Sequence, residues 1–142
     1  QVMVVFHGPH TYVSPTWYQE EEVVPTWNYV AVHATGIFRA LEDRAELEES
    51  VGRLVDQHEA SQPKPWQPDF ESTYSDQMLK RIVAFQIQLT SLQGKWKLNQ
   101  NHPEHHRRRV AEQLKALGGE VNLQIAGLMD EDMAGELRGF LG

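Results

Sequence analysis

From Val83 to Thr90 apolar and polar side chains alternate, with Val83, Phe85, Ile87 and Leu89 at one parity and Gln86, Gln88 and Thr90 at the other. Successive side chains of an extended backbone point to opposite faces, so this pattern predicts a strand with one covered face and one wet face. A strand of that kind belongs to an antiparallel sheet backed by a second layer, not to a parallel sheet buried on both sides. Gln93-Gly94 is then expected to turn the chain into another strand, Lys95-Trp96-Lys97-Leu98. The same parity places Lys95 and Lys97 on one face and Trp96 and Leu98 on the other.

Other elements follow from local chemistry. Val2-Met3-Val4-Val5-Phe6 has the composition of a buried strand, His7-Gly8-Pro9-His10 that of a turn, and Thr11-Tyr12-Val13 resumes extended structure. Ser14-Pro15 caps a short helical turn with Trp17 and Tyr18, and an acidic loop follows from Gln19 to Val24. β-Branched and aromatic residues dominate Trp27 to Thr35, a long strand in which Gly36 allows a bend. Asp43 with Glu46 forms a capping box for a helix with Leu47, Val51, Leu54 and Val55 on one stripe. A proline-marked loop leads to a shorter helix through Tyr74, Met78, Leu79 and Ile82. Beyond Asn101, Val110, Leu114 and Leu117 define a helix ending at Gly118-Gly119, and Val121, Ile125, Leu128 and Met129 define another. The expected class is α+β on an antiparallel sheet or small barrel, one domain over 1–142 with a helical C-terminal extension over 102–142. Gln1 opens directly onto the first strand, so the expectation is that the N-terminal part of the native domain, with its first strands, lies upstream.

A chain of 142 residues holds enough apolar material for one core, and no apolar run reaches the roughly 20 residues of a membrane helix. Without cysteine there is no disulfide, no thiolate metal site and no thiol nucleophile, which suits a cytoplasmic protein. The net charge of −7 is not a nucleic-acid-binding balance, so DNA is a possible partner that the charge does not support. Positive charge is dense only at Lys95, Lys97 and Arg107 to Arg109.

Two ammonium groups beside a helix start suit a phosphate, because the first N–H groups of a helix lack intrahelical partners. Asn101 is placed to cap that helix, with Pro103 and Glu104 in its first turn. Trp96 is positioned to stack on a flat ring, although a core role suits it as well, and an exposed lysine pair also serves to blunt an edge strand. Asn28, between Trp27 and Tyr29, needs hydrogen-bond partners if its face is covered, and the edge of a carbonyl-rich ring would supply them. His102, His105 and His106 have helical spacing, but no carboxylate completes a ligand set in sequence, and no metal site is expected. Arg107 to Arg109 fan around a helix and are expected on a solvated face. There is no glycine-rich phosphate loop, nucleophile elbow or zincin motif, so any chemistry would be carried by a bound cofactor.

Three segments carry a family resemblance: His7-Gly8-Pro9-His10-x-Tyr12-Val13-Ser14-Pro15-x-Trp17-Tyr18, Val24-Pro25-Thr26-Trp27-Asn28-Tyr29-Val30-Ala31-Val32-His33, and Gly94-Lys95-Trp96-Lys97-Leu98-x-Gln100-Asn101. In order and spacing, from Val2 to Met129, the chain resembles the PaiB-type FMN-binding negative transcriptional regulators of the split-barrel flavin-binding group. The resemblance implies a six-stranded antiparallel split β-barrel that forms a homodimer, with FMN in a cleft between protomers. It implies that the first barrel strands and an arginine on the FMN phosphate precede Gln1. Carried over by position, the cofactor-binding set is Lys95, Trp96, Lys97, Gln100 and Asn101, with Trp27 and Asn28 next. Asn99 stands where the family more often has serine. A regulator is the leading expectation, and a flavin-dependent oxidoreductase resembling pyridoxamine phosphate oxidases and flavin reductases is the alternative.

Overall fold

The computed structural model describes residues 1–137 and shows an α+β chain with a three-stranded antiparallel sheet and four helices. The strands are β1 (Val2–Val13), β2 (Thr26–Ala40) and β3 (Phe85–Lys97), in the spatial order β1-β2-β3. The helices are α1 (Arg44–Glu59), α2 (Thr73–Leu79), α3 (Glu104–Leu117) and α4 (Glu120–Ala134), and a 3-10 turn spans Pro15–Trp17. No described helix is long and apolar enough to cross a membrane. The chain divides into two compact units, one of residues 1–2 and 36–90, the other of residues 3–35 and 91–142.

In the second unit the core lies between one face of the sheet and the α3–α4 hairpin. Val13, Tyr18, Leu98, Val110, Leu114, Ile125 and Met129 are each fully buried there. The hairpin closes through Gly118 and Gly119, at φ of 67° and 82°, a conformation that side-chain-bearing residues rarely adopt. Thr11 on β1 donates to the Asn122 side chain on α4 at 2.7 Å, tying the strand to the helix layer.

In the first unit Asp43 caps α1 by accepting from the Glu46 N–H at 3.1 Å. The capping box is not reciprocal, because the Glu46 carboxylate pairs instead with both terminal nitrogens of Arg39 at 2.8 and 2.9 Å. Arg44 ties α1 to α2, donating to Asp76 at 2.6 Å and to the Phe70 carbonyl at 2.9 Å. Here β3 approaches β2 so closely that a Cβ on Gly36 would lie 2.3 Å from the Gln88 carbonyl oxygen. That approach, rather than a bend, is what Gly36 permits, and β2 runs through it unbroken.

Two further expected breaks are absent, and one helix start is moved. His7-Gly8-Pro9-His10 does not turn but lies inside the continuous β1. The phase of exposure shifts instead, from Met3, Val5 and His7 to His10 and Tyr12. Gln93-Gly94 does not turn either, since β3 is a single strand, and Gly94 leaves room for the Trp96 ring, which a Cβ there would meet at 2.3 Å. The cap of α3 is Pro103, without a side-chain bond, and Asn101 lies in the preceding turn. That turn pivots on Asn99 at φ 60°, with the His102 N–H donating to the Asn99 carbonyl at 2.9 Å. A left-handed asparagine there moves the helix start two residues beyond the expected cap. The expected continuation of helix to Gly142 falls partly on residues 138–142, outside the described residues.

Candidate functional site

Strand parity sorts the second unit's sheet into two faces. On β2, Asn28 points at the helix layer, fully buried, and its amide donates to the Met129 sulfur at 3.3 Å. Its Oδ1 is buried without a hydrogen-bond partner. Trp27, Tyr29, Ala31 and His33 line the opposite face, and with His7 and His10 of β1 they enclose an open hollow of about 590 Å³. Trp27 is held edge-on to Tyr12, ring centres 5.9 Å apart, and lies 6.3 Å from the His10 ring.

β3 brings Lys97 to the margin of that hollow. The Lys97 ammonium lies 6.0 Å from the centre of the Tyr29 ring and donates to the Thr26 hydroxyl at 2.7 Å. Lys95, two residues back and so on the same face, is exposed and makes no hydrogen bond or ion pair among the described residues. Trp96 and Leu98 face the other way, Leu98 fully buried and Trp96 against the core.

The turn after β3 is consumed by its own architecture. Gln100 accepts from the Leu98 N–H at 2.7 Å and donates to the Trp96 carbonyl at 2.9 Å, closing the turn on itself. Asn99 is buried and donates to the Tyr18 hydroxyl. Burial pushes the Tyr18 phenol up from its ordinary pKa, and the Asn99 bond partly opposes this. Tyr18 also stacks on His102 at 4.8 Å, and burial, with the neighbouring His106, holds His102 below the usual imidazole value.

Thus Trp27, Lys97 and, by parity, Lys95 share the hollow's face. Trp96 and Asn28 lie on the core side, while Gln100 and Asn101 lie in the turn. Of the arginines expected on a solvated face, Arg108 lies there, whereas Arg107 is nearly buried and Arg109 is partly buried. Arg107 pairs with Asp132 of α4 at a nearly buried position, Arg108 pairs with Glu104 at 2.9 Å, and Arg109 donates to the Tyr18 carbonyl. Tyr29, His33, His7 and His10 are not among the binding residues expected from the sequence. The i, i+2 series Trp27, Tyr29, Ala31, His33 was the available signal, since it puts two aromatics and an imidazole on one face.

These features define an α+β domain with an aromatic-walled hollow on one sheet face, bordered by the Lys97 ammonium, a setting for a flat ring with an anionic tail. Residues 1–91 match the family described as "Putative FMN-binding domain", and the chain belongs to that family. It is 37% identical to the Bacillus subtilis "Protease synthase and sporulation protein PAI 2", over 93% of this chain and 63% of that protein. It is 33% identical to an uncharacterized protein of Aspergillus fumigatus over 92% of this chain and 58% of that one. An uncharacterized Emericella nidulans protein is 34% identical over 92% and 59%. The chain therefore spans about three fifths of the length of these relatives. The PaiB-type resemblance is borne out, and FMN is the cofactor that the family match supports.

The residues present fit that cofactor. The hollow has the size of a small-molecule site, roughly 300 to 1,000 Å³, its walls offer indole and phenol faces, and one ammonium already stands over the phenol. Asn28, with its amide turned to Met129, does not reach the hollow.

Proposed function

We propose that the chain is the flavin-holding part of a dimeric PaiB-type transcriptional regulator, with FMN on the open sheet face and its phosphate addressed by Lys95 and Lys97. The observation that carries this reading is the Lys97 ammonium beside Tyr29, a wall of the aromatic hollow, with Lys95 exposed on the same strand face. Trp27 and Tyr29 offer contact to the ring. Trp96 serves by anchoring β3 on the core, Gln100 by fixing the turn that ends the strand, and Asn28 by locking β2 onto α4. FMN, when bound, supplies reversible electron uptake.

Dimerisation into a closed split barrel is supported by apolar surface on the sheet's edge strands. β1 and β3 are the sheet's outer strands, with Met3 and Phe6 exposed on one and Phe85, Leu89 and Leu92 on the other. The net charge of −7 argues for regulation through a partner or small molecule rather than by this domain gripping DNA. The test is an FMN titration of the complete protein and its Lys95→Gln/Lys97→Gln variant, with sedimentation of both. Loss of about two decades of affinity with the oligomer preserved is expected, since each charge-assisted phosphate contact contributes roughly 1.5 kcal/mol. Equal affinities would refute the phosphate seat, and rapid NADH-driven turnover would assign an oxidoreductase instead.

A further inference from the structure

The acidic loop and the start of α3 meet at a point the flavin reading does not use. Gln19, at φ 57°, turns the chain after Tyr18, and the following Glu20 carboxylate approaches His106 in the first turn of α3, Oε1 to Nε2 at 3.4 Å. His105 is adjacent, its ring centre 4.3 Å from that of His106. One donor atom from each of Glu20, His105 and His106 lies within 4.8 Å of the others. We propose that these three residues form a binding site for a first-row divalent cation of the Zn²⁺ type.

The chemistry suits such an ion. Two imidazoles and one carboxylate are a borderline nitrogen and oxygen donor set, and a fourth position remains for water. Two ligands held about 2.05 Å from a tetrahedral zinc stand roughly 3.3 Å apart. The observed 3.4 Å between Glu20 and His106 matches that edge and is long for a charge-assisted hydrogen bond. His106 is 9% exposed, and its Nδ1 is buried without a partner, so this imidazole is not satisfied by short bonds within the chain. Glu20 and His105 are exposed and free to close the remaining gap by side-chain rotation. Arg109 lies 4.0 Å from the same Glu20 oxygen while anchored on the Tyr18 carbonyl. That second positive charge opposes a bound cation and weakens the site. Metal at this point staples the loop after Tyr18 to α3, between residues far apart in sequence.

The test is titration of the complete protein, free of any histidine tag, with Zn²⁺ by calorimetry and with Co²⁺ by its visible bands. One ion per chain is expected, with a rise in Tm on addition. Glu20→Gln and His105→Gln, both at exposed positions, are each expected to weaken binding on the order of tenfold or more. The proposal is overturned if neither ion binds at one per chain, or if both variants bind as tightly as the unaltered protein.

Discussion

Two basic clusters stand close together in the chain and have opposite fates. Lys95 and Lys97 lie on the open face of β3, Lys95 without a partner and Lys97 held only by a neutral hydroxyl. Arg107, Arg108 and Arg109 on α3 are all engaged within the chain, by Asp132, Glu104 and the Tyr18 carbonyl. Positive charge available to a ligand is therefore set by what the fold leaves unpaired, not by the density of basic residues. The chemistry of the side chains fits the division. Guanidinium forks suit fixed internal pairs, and ammonium groups act as mobile point charges for a phosphate.

The largest effect on that contrast is expected from Asp132→Ala. It strips a nearly buried Arg107 of its counter-ion and should destabilise the fold by about 3 kcal/mol in denaturant melts, because an uncompensated interior charge is costly. Lys95→Gln/Lys97→Gln should leave stability within about 0.5 kcal/mol, as surface changes do, while FMN affinity falls about a hundredfold. A stability loss as large as that of Asp132→Ala would erase the distinction between the clusters. Asn99→Ala removes a buried bond to Tyr18 and a residue suited to positive φ, and should cost about 1–2 kcal/mol without selectively altering FMN binding. Arg108→Gln, at an exposed i, i+4 pair, should change stability by less than about 0.5 kcal/mol.

A smaller effect belongs to the first unit. Bonds from Lys80 and Arg44 hold the Asp76 carboxyl below its ordinary pKa. Its contribution to stability is present above the unfolded carboxylate value and is lost as pH falls through the folded one. Asp76→Asn should flatten stability in that acidic range and leave it unaltered in slope near neutrality. An unchanged acid limb in the melting profile would contradict the pairing.

Much of this contrast was legible in the chain itself. Period-two alternation gives the faces of Lys95, Trp96, Lys97 and Leu98 directly, because nothing beyond strand geometry decides them. The need of Asn28 for partners was legible too, but not that Met129, 101 residues away, would meet it. Long-range pairing leaves no local pattern. The partners of Arg107 and His106 come from α4 and from the loop after Tyr18, so a solvated face and an incomplete ligand set were the natural readings. Gly94 misled for a different reason. Glycine marks both turns and close approach, and only the indole lying over it tells the two apart.

The most direct measurement is the ratio of FMN to riboflavin affinity in the unaltered protein and in the lysine double variant, since the two ligands differ only in the phosphate. The account predicts FMN favoured by on the order of a hundredfold in the former and near parity in the latter. A preference for FMN that survives loss of both lysines would contradict it.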